Sequence, residues 1–148
     1  VAPTTTTTVA PTTTTSTTTT LPSACVNWYA KTEDNRRAMN TVMSDFFLDI
    51  IKYEYRSELE LNQLINNIYN LMVRAEEIIS SQSELKPNDS NVTADFDINA
   101  GFYDYFFGMG QYKKGYEENS PYYKTLGELT HISADSNLAL YEINRNSC

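Results

Sequence analysis

The chain has 148 residues, one domain's worth of sequence, and a formal net charge of -8 from 19 acidic and 11 basic residues. No basic stripe exists to displace counterions, so nucleic acid and an anionic membrane surface are poor partners; the plain meaning of the acidity is solubility. The longest apolar run, Phe46 to Ile51, is interrupted by Asp49 and falls far short of the ~20 residues that span a bilayer, so no membrane insertion is expected.

Residues 1–24 carry no charge and no aromatic ring. Val1-Ala2-Pro3 precedes Thr4, Thr5, Thr6, Thr7 and Thr8. Val9-Ala10-Pro11 precedes Thr12, Thr13, Thr14, Thr15 and Ser16. Thr17, Thr18, Thr19 and Thr20 follow, before Leu21-Pro22. The period is eight residues. Such a segment has too little apolar surface to offset the entropy of ordering, and its prolines favour extended backbone. It resembles mucin-type stalks in composition. That resemblance implies O-glycans on these threonines and on Ser16. The start at Val1, with no signal peptide in view, reads as a mature product or a segment of a longer precursor.

Cys25 and Cys148 are the only cysteines and bracket the remaining domain, 25–148. In an oxidising compartment they are expected to form one intrachain disulfide, with an interchain bond as the competing arrangement. No Cys-x-x-Cys occurs, so zinc and thioredoxin-type chemistry have no support.

From Ser23 to Lys86 there is neither Gly nor Pro. Met39, Val42, Met43, Phe46, Ile50 and Tyr53 recur at helix spacing, and Leu61 through Ile79 repeat it. Ser57-Glu58-Leu59-Glu60 between them has the form of a capping box. The spacing predicts a helix over 27–55 and another over 58–83; one unbroken helix of about 55 residues is the alternative.

The spacing predicts a loop over 85–99, with Pro87 and two adjacent sequons at Asn88 and Asn91. The paired sequons and the stalk together point to secretion. Crowding leaves room for one N-glycan. Asp95, Asp97 and Asn99 place oxygen donors like the start of an EF-hand calcium loop, but Ala100 and Phe106 stand where that loop needs Gly and Glu. The reading preferred here is a polar loop whose aspartates cap the next helix, and no metal or cofactor is expected.

The segment 101–118 is aromatic, with Phe102, Tyr103, Tyr105, Phe106 and Phe107 punctuated by glycines. It predicts a short helix broken at those glycines. Core packing is its default role, a subunit interface the next, and a ligand groove the third. Ser120 and Pro121 then open a last helix with an apolar face at Leu126, Leu129, Ser133, Leu140 and Ile143. His131, the only histidine, reads as a surface residue, and the acid pairs Glu76-Glu77 and Glu117-Glu118 as solvated.

The expected architecture is all-α: a three- to four-helix antiparallel bundle behind an extended, mucin-like stalk. With no catalytic motif, no enzyme is expected. The expected role is an extracellular structural glycoprotein, a subunit of a filament, coat or matrix, whose stalk contacts a neighbouring copy of the same chain. The alternative is a secreted, stalk-mounted module holding a small apolar or glycan ligand between helices.

Overall fold

The computed structural model describes residues 23–145, with side-chain surroundings from Cys25 onward. Four α-helices run in sequence: α1 (Ser23–Glu54), α2 (Leu61–Ser83), α3 (Val92–Glu117) and α4 (Pro121–Asn144), with a 3-10 turn at Asp89–Asn91 before α3. No strand occurs among the described residues. Short connections make successive helices antiparallel. Tyr29, Phe47 and Glu54 of α1 meet Arg145, His131 and Lys124 at the other side. The bundle is therefore closed by α1 running antiparallel to α4.

The two-helix expectation for 23–83 holds, but its capping box does not. Ser57 has a left-handed backbone, φ 52°, and ends the α1 turn, while the Glu58 N–H reaches back to the Lys52 carbonyl at 2.9 Å. The N-cap of α2 is Glu60, without a side-chain cap bond. Helix α1 also starts at Ser23, inside the segment assigned to the stalk.

Two further expectations are overturned in α3 and α4. The loop expected over 85–99 closes by Asn88, and Val92 to Glu117 is one helix that runs through four glycines. Gly101, Gly108 and Gly115 are seven apart and form a seam against α4. A Cβ at Gly108 would lie 2.2 Å from His131 Cδ2, and one at Gly101 would lie 2.9 Å from Leu138 Cδ2. Gly127 and Ala134 answer from α4, where a Cβ at Gly127 would lie 2.5 Å from the Tyr112 ring. The glycines cost some helix propensity but let two backbones approach closely. Accordingly α3 and α4 are the most closely packed pair.

The turn between them is a Schellman motif. Asn119 is left-handed at φ 49°, the Ser120 N–H donates to the Gly115 carbonyl at 2.8 Å, and Asn119 N–H donates to Tyr116. Ser120 is then the N-cap of α4 and Pro121 its first residue, as the sequence predicts.

The face of α4 is inverted relative to expectation. Gly127, His131, Ala134 and Tyr141 are buried, whereas Leu129, Leu140 and Ile143 are exposed. The core is built from Trp28, Met39, Phe46, Leu64, Ile68, Ile98, Phe102 and Met109.

Candidate functional site

The aromatic segment divides by helical phase. Phe102 and Tyr105 turn into the core, which removes them from the interface or groove set. Tyr103 (46% exposed) and Phe107 (56%) face outward and stack with centroids 6.4 Å apart. Phe106 is half-buried between them and the core. Phe96, 72% exposed, extends the outward row two turns towards the helix start. Tyr103 and Phe106 line a cleft of about 260 Å³ with Glu76, Ile79, Ser80 and Ser83 of α2. Its walls combine aromatic rings with hydroxyl and carboxylate groups.

On α4, Leu129, Ile132, Leu140 and Ile143 form a second outward apolar row, with Ile143 76% exposed. Reading the sequence for the largest apolar face found Leu129, Leu140 and Ile143, though not Ile132, and assigned them to the core. The signal that could have corrected it is the row of small residues on the opposite face, Gly127 and Ala134, in register with the glycines of α3.

The calcium-like triad is not a loop. Asp95, Asp97 and Asn99 stand on the first turns of α3, and the aspartates point to opposite sides. Asp95 accepts from Trp28 Nε1 at 3.0 Å and Gln82 Nε2 at 3.3 Å. Asp97 accepts from Asn144 Nδ2 at 2.7 Å. Asn99 donates back to the Asp95 carbonyl at 2.7 Å. These residues stitch α3 to α1, α2 and α4. Among the described residues no group of acidic, His or Cys side chains has the arrangement of a metal site.

The two sequons separate. Asn91 is fully buried, and its amide nitrogen donates to Asn88 Oδ1 at 2.9 Å and to Cys25 Sγ at 3.4 Å. That nitrogen is the atom a glycan would occupy, so Asn91 is unsuited to carry one in this fold. Asn88 is half-exposed at the cap of the 3-10 turn. The proposed O-glycan positions, residues 4–20, and Cys148 lie outside the described residues.

A charged hub ties the far end of α4 to α1. Glu33 accepts from Tyr141 Oη at 2.8 Å, Arg145 Nη1 at 2.8 Å and Arg36 Nη2 at 2.8 Å. Burial alone would raise the Glu33 pKa; the hydrogen bonds from Arg36 and Tyr141 and the two guanidinium charges outweigh it and hold it below the usual carboxylate range.

His131 is not a surface residue. It is 5% exposed, packed among Phe46, Phe47, Tyr105 and Tyr112, with ring centroids 5.3 to 5.8 Å away. Among the described residues neither ring nitrogen makes a hydrogen bond of normal geometry. Burial pulls its pKa down to about 4; the nearby Tyr105 carbonyl and the Asp135 charge oppose that only in part. The solvated reading of the other acids stands: Glu76, Glu77, Glu117 and Glu118 are exposed. Asp49 pairs with Lys52 as its spacing suggests, at 3.6 Å, but Asp45 pairs with Arg74 of α2 at 3.0 Å.

No family model matches the chain, and neither a curated protein nor a solved structure does.

Proposed function

We propose that the chain is a subunit of an extracellular assembly: a glycoprotein whose helical domain meets copies of itself and whose threonine-rich stalk contacts a neighbouring subunit. The observation that carries this is the inverted α4 helix, which buries its small residues and turns Leu129, Ile132, Leu140 and Ile143 to the outside. Exposed single apolar residues are ordinary, but a row along a whole helix marks a surface that is covered in use. A second copy is the occupant favoured here, because the same domain offers a second row, Phe96, Tyr103 and Phe107 on α3, for the next contact.

The stalk suits the cleft between α2 and α3. Extended proline-containing segments dock on aromatic-lined grooves, and Tyr103 and Phe106 supply such walls. Val1-Ala2-Pro3 and Val9-Ala10-Pro11 are the stalk's apolar anchors, free of glycan acceptors. Secretion, O-glycans on the threonines and an N-glycan at Asn88 belong to this reading. Head-to-tail contacts of this kind propagate without closing and build a filament.

Size-exclusion chromatography with light scattering tests it on the glycosylated full chain, a chain lacking residues 1–22, and the double variant Leu129→Lys, Ile143→Lys. The full chain is expected to exceed monomer mass, and both altered proteins to fall to monomer. A full chain that stays monomeric at high concentration, or a truncated one that assembles equally well, overturns the proposal. The alternative, a stalk-mounted binding module, would then stand on the same α2–α3 cleft, whose aromatic and hydroxyl lining fits a sugar.

A further inference from the structure

Halfway along the bundle α1 and α4 part, and a cleft of about 310 Å³ opens between them. Phe47 comes from α1, Tyr112 from α3, and Glu128, His131, Ile132 and Asp135 from α4. The lining has one electrostatic character. Two carboxylates, three aromatic or imidazole rings and an aliphatic side chain meet there, and no basic residue lines it.

The carboxylates are uncompensated. Among the described residues neither Glu128 nor Asp135 forms an ion pair. Lys124, one turn before Glu128, is committed to Glu54 at 3.3 Å and lies over the Tyr116 ring. Asp135 accepts a hydrogen bond from the Tyr105 hydroxyl, which fixes its position but leaves its charge. Glu128 and Asp135 are two turns apart on one helix face, about 10 Å along the axis, with His131 and Ile132 between them. The buried His131 ring lines the cleft, and its unprotonated nitrogen is an acceptor without a donor among the described residues.

We propose that this cleft binds a small organic ammonium ion carrying an apolar body. The cationic head sits against Glu128 or Asp135 and over the electron-rich face of the exposed Phe47 ring, where cation–π attraction adds to the ion pair. The apolar body covers Phe47 and Ile132, which are otherwise left to water. A neutral isostere loses both electrostatic contributions, and an anion is repelled by the paired carboxylates and the acidic surface as a whole. This site shares Ile132 with the outward α4 row but does not rest on the assembly proposed above: it lies between α1 and α4 and needs no second copy.

The test is calorimetry and amide chemical-shift mapping on the full chain at neutral pH, with phenethylamine hydrochloride as the probe and 2-phenylethanol as its uncharged counterpart. Saturable amine binding is expected, with shifts centred on Phe47, Tyr112 and Ile132, and none from the alcohol. The double variant Glu128→Gln, Asp135→Asn should bind the amine at least about tenfold more weakly, a loss of the size of one charge-assisted contact. If that variant does not fold, raising sodium chloride from about 20 mM to about 300 mM on the unaltered protein gives the same reading through screening. Equal binding of the alcohol, no saturable shift, or affinity indifferent to both the substitutions and salt overturns the proposal.

Discussion

His131 couples the bundle to pH through one buried ring. In the unfolded chain its pKa is near 6.5, and in the fold burial holds it at about 4. The folded state therefore resists protonation that the unfolded state accepts. Its contribution to stability is complete above about pH 6.5, declines as pH falls, and levels off below about pH 4. Across that window the loss amounts to about 3 kcal/mol. Glu128 and Asp135 border the ring from its own helix, and the Tyr105 and Tyr112 hydroxyls from α3, so no basic group opposes the charge. Urea midpoints measured between neutral and mildly acidic pH should fall more steeply for the natural chain than for His131→Leu. Identical slopes would mean that His131 is protonated in the fold. Lone histidines are usually exposed, so sequence reasoning placed this one on the surface. Its burial follows from Gly108 of α3, which leaves space for the ring that a side-chain count along one helix does not reveal.

At the scale of whole elements, what was legible follows from how local the cause is. The first two helices could be read because their apolar spacing is strong and no Gly or Pro interrupts it. The Ser120-Pro121 start of α4 was readable for the same local reason. The glycines of α3 misled because their effect is tertiary: in isolation each weakens a helix, whereas here Gly101, Gly108 and Gly115 are the surface on which α4 lies. The same tertiary cause hid the orientation of α4 and sorted the aromatic segment into core and surface rings. Two neighbouring glycines separate the two effects. In Gly108→Ala the new methyl meets a His131 ring that four aromatic neighbours prevent from moving, and the variant should lose about 2 kcal/mol despite better helix propensity. In Gly110→Ala the nearest atom is the flexible Met72 Cε, at 3.3 Å, and the chain should gain up to about 1 kcal/mol. Denaturant midpoints of the two variants should move in opposite directions. If both rise, the glycines act only through backbone entropy, and the close approach of α3 to α4 is not what requires Gly108.

For the whole molecule the decisive question is whether the chain closes on itself or links to the next. Cys148 lies outside the described residues, but the described end of α4 is held beside the start of α1. Arg145 Nη1 donates to Tyr29 Oη at 2.9 Å and to Glu33 Oε1 at 2.8 Å, and Asn144 is bonded to Asp97. Tyr29 is one helical turn beyond Cys25, and three residues carry the chain from Arg145 to Cys148, a reach of about 10 Å. The described ends of the domain thus lie side by side, with only three residues left to reach residue 148, and we expect the intrachain bridge over a covalent polymer. Cys25 is itself buried against Asn91, where a bond to another chain would meet poor access. A bridge closing so long a loop stabilises by about 4–5 kcal/mol in the chain-entropy model. Mild reduction, or Cys148→Ser, should lower the Tm by on the order of 10 °C or more while leaving the helical signal intact at room temperature. Non-reducing gels should run as monomer, since any assembly would then be held by the outward faces and the stalk, both of which detergent strips away. A ladder of multimers that collapses on reduction would reverse this, and would make the cysteines, in place of the α4 face, the joint between subunits.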